Sequence, residues 1–95
     1  MKEAHILFQG RVQGVGFRYR TLQVLEPMLL SGYVRNLQDG RVELVLQGST
    51  AEIEQAVGLV RQELGSLISG ETWSWRELSR TLSGFQILPT PREQE

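Results

Sequence analysis

Ninety-five residues with ten basic and eleven acidic side chains, 40% hydrophobic content and no cysteine suit one domain over residues 1–95 and exclude two separate cores. The missing cysteine removes disulfides, thiolate nucleophiles and Cys-ligated metals, so the expected location is the cytoplasm. A net charge of −1 gives no field for a phosphate backbone and argues against a nucleic-acid partner.

The opening MKEAHILFQG has no long apolar run of the kind that marks a signal peptide, and no stretch approaches the roughly 18 to 20 apolar residues of a membrane span. Ala4 to Gln9 reads as a short strand bounded by Gly10. A glycine-rich turn follows. Phe17 through about Met28 has helical spacing, with Pro27 confusing its end. Ser31–Asn36 and Arg41–Gln47 flank Leu37-Gln38-Asp39-Gly40, whose Asp-Gly step signals a hairpin. Ser49 or Thr50 caps the next helix, with Glu52 placed for a capping box and Ile53, Ala56, Val57, Val60 and Leu64 forming one stripe. Gly65 stops it. Leu67–Leu78 reads as a strand carrying Trp73 and Trp75 on one face, and Phe85–Leu88 as a last short strand. Pro89-Thr90-Pro91 and the polar residues after them read as a frayed tail. The order is βαββαβ, with room for one short extra strand. It predicts an α+β ferredoxin-like sandwich: an antiparallel sheet with two helices on one face.

Residue types narrow the chemistry. Asp39 is the sole aspartate and Lys2 the sole lysine, so Asp-rich metal clusters and a P-loop lysine are hard to supply. His5, the one imidazole, lies in an apolar strand and reads as structural rather than as a triad member. The informative stretch is Gly10-Arg11-Val12-Gln13-Gly14-Val15-Gly16-Phe17-Arg18. Glycines before a helix open special dihedrals and bare the main-chain amides. The first helical turn adds unpaired N–H groups and the positive dipole end. Arg18 adds a planar fork matched to phosphate oxygens. The spacing fits neither G-x-G-x-x-G nor the Walker pattern. On composition alone, a plain tight turn is the commoner explanation.

GRVQGVGFR over Gly10–Arg18 and GYVRNLQDGRVELVLQG over Gly32–Gly48 resemble, in order and separation, the two signature motifs of the acylphosphatase family. The resemblance runs from about Ala4 to Leu88. It implies the same βαββαβ sandwich and hydrolysis of the carboxyl-phosphate bond of acyl phosphates, with no metal or organic cofactor. It further implies that Arg18 binds the phosphate, that Asn36 orients the attacking water, and that the amides of Gln13, Gly14, Val15, Gly16 and Phe17 form the cradle. The expected partners are the small acyl phosphate and inorganic phosphate, with the chain a monomer.

Three departures bear on this expectation. Phe8 replaces a smaller aliphatic residue and reads as a core variation. Pro27 and Leu29 fall where the family continues a helix and then turns at glycine, so the helix is expected to end or bend near Glu26. If that shift displaced Asn36, the chain would be an anion-binding or regulatory module without turnover. Gly58 inside the second helix costs about 1 kcal/mol relative to alanine. Trp73 and Trp75 read as core rather than base-stacking residues. Tyr19 and Arg20 read as packing and solvent residues. Arg11, Arg35 and Arg41 read as solvated surface, or as a positive rim to the cradle.

Overall fold

The computed structural model describes residues 1–92. Five strands, β1 (Lys2–Gly10), β2 (Ser31–Asn36), β3 (Val42–Gly48), β4 (Ile68–Glu77) and β5 (Phe85–Ile87), combine with α1 (Phe17–Leu25) and α2 (Thr50–Leu64). The strands lie side by side as β4-β1-β3-β2-β5.

Alternation along the strands divides the sheet into two faces. Ala4, Ile6 and Phe8 of β1 meet Val42, Leu44 and Leu46 of β3 and the α2 stripe Ile53, Ala56, Val57, Val60 and Leu64 in one core. The α2 start is built as its sequence predicts: Ser49 Oγ accepts from the Glu52 amide at 3.1 Å and Glu52 Oε1 accepts from the Ser49 amide at 3.0 Å. Such a cap is worth about 1 kcal/mol. Phe8, fully buried, packs on Phe17 with ring centroids 5.5 Å apart. It therefore anchors the first residue of α1 to the sheet.

Helix α1 ends at Leu25, and Glu26–Met28 form a single 3-10 turn. Proline is tolerated there because the N–H it lacks would be unpaired in a first turn. Leu29 then takes the left-handed conformation at φ 58° where a glycine would be at ease. These four residues absorb the irregularity. Strand β2 still begins at Ser31, and Asn36 pairs with Val42 in an unbroken register.

One expectation about the sheet needs correction. β1, β2, β3 and β4 pair antiparallel, but β5 pairs with β2 parallel, through Gly32–Phe85, Tyr33–Gln86 and Val34–Ile87. The sheet is mixed. Leaving β4, the chain reverses direction and crosses to the far edge, so it arrives running the same way as β2. On that passage Arg80 reaches Glu3 at 3.2 Å, and the Leu82 amide donates to Gln47 Oε1 at 2.9 Å. The segment thus covers part of the sheet face away from the helices, where Glu3, Tyr33, Val45 and Gln47 are buried.

The expected tail lies partly, at residues 93–95, outside the described residues. Its described part is tethered rather than frayed, since Gln38 Nε2 donates to the Pro91 carbonyl at 3.0 Å. No helix among the described residues is long and apolar enough to cross a membrane.

Candidate active site

Between β1 and α1 the chain turns through Gly14 and Gly16, at φ 76° and 77°. A β-carbon at either position would meet nothing within 4 Å. The requirement is therefore one of backbone dihedral, and of keeping the space beside the turn open. Gly16 is the N-cap of α1 and offers no side-chain cap, and the first turn of α1 carries no acid. No side chain caps the first-turn amides, and uncapped amides at a helix N-terminus are a suitable place for an anion.

That space is a cavity of about 180 Å³ lined by Val12, Gly14, Gly16, Phe17, Arg18, Tyr19, Asn36 and Ile87. It brings together Arg18, Asn36 and three of the five expected cradle positions. Gln13 and Val15 do not line it. Gln13 instead sends its side chain across the turn, where Nε2 donates to the Leu37 carbonyl at 2.8 Å and the Arg41 carbonyl at 3.0 Å. The glycine-rich turn is thereby held against the backbone that directly follows Asn36. Sequence reasoning weighed only the Gln13 amide.

The two polar side chains in the cavity are unspent. Arg18 makes no ion pair among the described residues, although six other Lys and Arg side chains do. Asn36 Oδ1 is buried without a hydrogen-bond partner. Buried polar atoms are nearly always paired, so an orphan one in a cavity wall points to a missing ligand or water.

The surrounding charges are spent. Arg35 Nε donates to Glu43 at 2.6 Å, and Arg41 lies 2.7 Å from Asp39. They do not form a free positive rim. Arg11 is exposed and lies outside the cavity. His5 sits between Glu3 and Glu43, with ring nitrogens 3.0 and 3.7 Å from their carboxylates, in the structural position expected. Trp73 packs on the core and donates to Glu71 at 2.9 Å, whereas Trp75 is 40% exposed and is not a core residue. β4 is an edge strand, so Trp75 has a neighbouring strand, β1, on one side only. Among the described residues no three His, Asp or Glu side chains gather to hold a metal ion.

Val12, Tyr19 and Ile87 were missed from sequence. Tyr19 had one available signal, its place beside Arg18 in the first turn. Ile87 had none, because the parallel pairing that brings it to β2 is not encoded locally.

Fold and cavity together define a small ferredoxin-like α+β protein whose first strand-to-helix turn faces the end of β2. A family model described as acylphosphatase matches residues 4–87. The acylphosphatase of Thermococcus kodakarensis is 42% identical over 87 residues, covering 90% of this chain and 93% of its own length. That of Trichormus variabilis is 51% identical over 53 residues, so the match spans 56% of this chain and about half, 52%, of that relative. The crystal structure of acylphosphatase from Bacillus subtilis superposes with a TM-score of 0.81 at 28% identity, covering 93% of this chain and 99% of that one. The chain belongs to the acylphosphatase family.

Proposed function

We propose that the protein hydrolyses the carboxyl-phosphate bond of acyl phosphates to carboxylate and inorganic phosphate. Family membership supports a hydrolase, and the observation that carries the mechanism is the unpaired Asn36 Oδ1 in the same cavity wall as the unpaired Arg18. In this reading the amides of Gln13 to Phe17 and the Arg18 fork receive the phosphate oxygens and the charge that builds on them. Asn36 Oδ1 accepts a hydrogen bond from water and aims a lone pair at phosphorus.

The water oxygen forms the new bond to phosphorus as the bridging P–O bond breaks, and the electron pair leaves on the carboxylate. A carboxylate with a pKa near about 4 departs without a general acid. The water proton passes to a phosphate oxygen of the substrate. A pH-rate profile governed by a mutable side chain acting as base would contradict this step.

The same reading makes residues 1–95 one catalytic domain, monomeric and cytoplasmic, acting on a free small molecule without cofactor or nucleic acid. The low net charge and the absence of cysteine support it. A non-catalytic anion module is not favoured, because Pro27 leaves Asn36 in register and in the cavity.

The test is hydrolysis of an aryl acyl phosphate in excess chelator. Arg18→Ala should lose about 10³-fold or more in turnover and bind inorganic phosphate more weakly. Asn36→Ala should lose about 10²-fold with phosphate affinity near that of the native chain. Phosphate binding that depends on Arg18, without turnover by the native chain, would establish a binding module instead.

A further inference from the structure

The turn between β1 and α1 is weakly tied by its own backbone. Among the described residues, no backbone amide from Val12 to Gly16 donates to another backbone group. The main-chain bonds lie at the two ends, where the Arg11 amide donates to the Leu67 carbonyl at 2.9 Å and the Arg20 amide to the Gly16 carbonyl at 3.0 Å. Side chains hold the middle. Val12 and Val15 pack on the core, which fixes the depth of the turn but not its direction, because apolar contact is non-directional. Gln13 is the one residue of the turn with a side-chain hydrogen bond among the described residues, and it makes two through the same nitrogen.

The acceptors are informative because neither needs Gln13. The Leu37 carbonyl already accepts from the Gly40 amide at 3.2 Å, and the Arg41 carbonyl from the Leu37 amide at 2.8 Å. The β2–β3 hairpin therefore closes by itself, and removing the Gln13 amide would leave neither carbonyl unpaired. What the two added bonds decide is where the turn sits. Asn36 is fixed independently, by its pairing with Val42 in the sheet. One half of the site thus rests on the sheet and the other on a turn, and Gln13 joins them.

We propose that the Gln13 side chain is a positioning group, whose two hydrogen bonds set the gap between the phosphate cradle and Asn36. This role rests on the hydrolase reading above. A water held by Asn36 has to lie about 3 to 3.5 Å from phosphorus and in line with the breaking bond, and a misplacement of about 1 Å can cost on the order of 10²-fold in rate. The Gln13 side chain lies outside the cavity lining, so it acts through the turn and not on the reacting atoms.

The test is Gln13→Met in the full chain, which keeps the length of the side chain and the backbone amide but removes both donors. Hydrolysis of benzoyl phosphate, inhibition by inorganic phosphate and thermal melting are measured in the native background and in Asn36→Ala. In the native background kcat should fall about 10- to 100-fold, while inhibition by phosphate weakens less than about three-fold, because Arg18 and the amides remain. With Asn36 already removed, Gln13→Met should change kcat less than about three-fold, since residues that act as a unit are non-additive. Both variants should melt cooperatively. A native-like kcat, an equal fall in the two backgrounds, a loss of phosphate inhibition that parallels kcat, or a Gln13→Met chain that does not fold each overturns the positioning role and leaves the hydrolase reading intact. No turnover by the native chain overturns both.

Discussion

Asn36 Oδ1 and Thr21 Oγ1 are both buried without a hydrogen-bond partner, and each such group costs about 1 to 3 kcal/mol. Their surroundings differ. Thr21 lies on the docked face of α1 and does not line the cavity, whereas Asn36 lines it. If the Asn36 orphan is kept for a water, stability and turnover should separate there and not at Thr21. Thr21→Val should raise stability by about 1 kcal/mol in chemical denaturation, with turnover unchanged. Asn36→Ala should match or exceed native stability while losing turnover. A large stability loss in Asn36→Ala would mean that its side chain holds the fold rather than the water.

At the scale of elements, the connection from α1 to β2 carries the clearest local conflict. Leu29 is left-handed at φ 58° and 90% exposed, so it has backbone strain with no compensating burial. A left-handed non-glycine residue costs about 1 to 2 kcal/mol, partly offset in any glycine replacement by the greater freedom of the unfolded chain. Leu29→Gly should therefore raise stability by about 0.5 to 1 kcal/mol, seen as a higher Tm. A lower Tm would show that Leu29 makes contacts worth more than its strain. Because Glu26 to Leu29 absorb the irregularity before β2 starts, kinetic constants should not move.

For the whole molecule, the crossing segment is fastened at Glu3. Burial alone would raise the Glu3 pKa, but hydrogen bonds from Arg80, Gln47 and His5 outweigh it and lower the value from 4.5 to about 2. A carboxyl whose folded pKa is depressed adds stability above its unfolded pKa and loses it as pH falls through the folded one. The contribution should be complete above about pH 5 and decline toward pH 2, on the order of 2 kcal/mol after allowing for the half-exposed Arg80. Glu3→Gln should be less stable than the native protein at pH 7, with the gap closing as pH falls through that window in urea melts. A gap independent of pH would place the effect in packing instead of charge.

The local parts of the molecule were legible in the residues alone. The Ser49–Glu52 box, the Asp39-Gly40 turn, the apolar stripe of α2 and the glycines before Arg18 each act within a few positions, through dihedral preference, periodicity or an unpaired amide. Arg18 stood out beside those glycines, whereas Asn36 became a candidate only through the resemblance of two motifs to the acylphosphatase family. Only the tertiary structure decided which way β5 runs, that Gln13 clamps the turn to residues 24 and 28 positions away, and that Glu3 meets Arg80 across 77 positions. It also decided that Tyr19 faces a cavity and that Asn36 Oδ1 lacks a partner. Those facts depend on which distant segments pack together, and the pairing of distant segments is set by the shared core rather than by any neighbour in the chain.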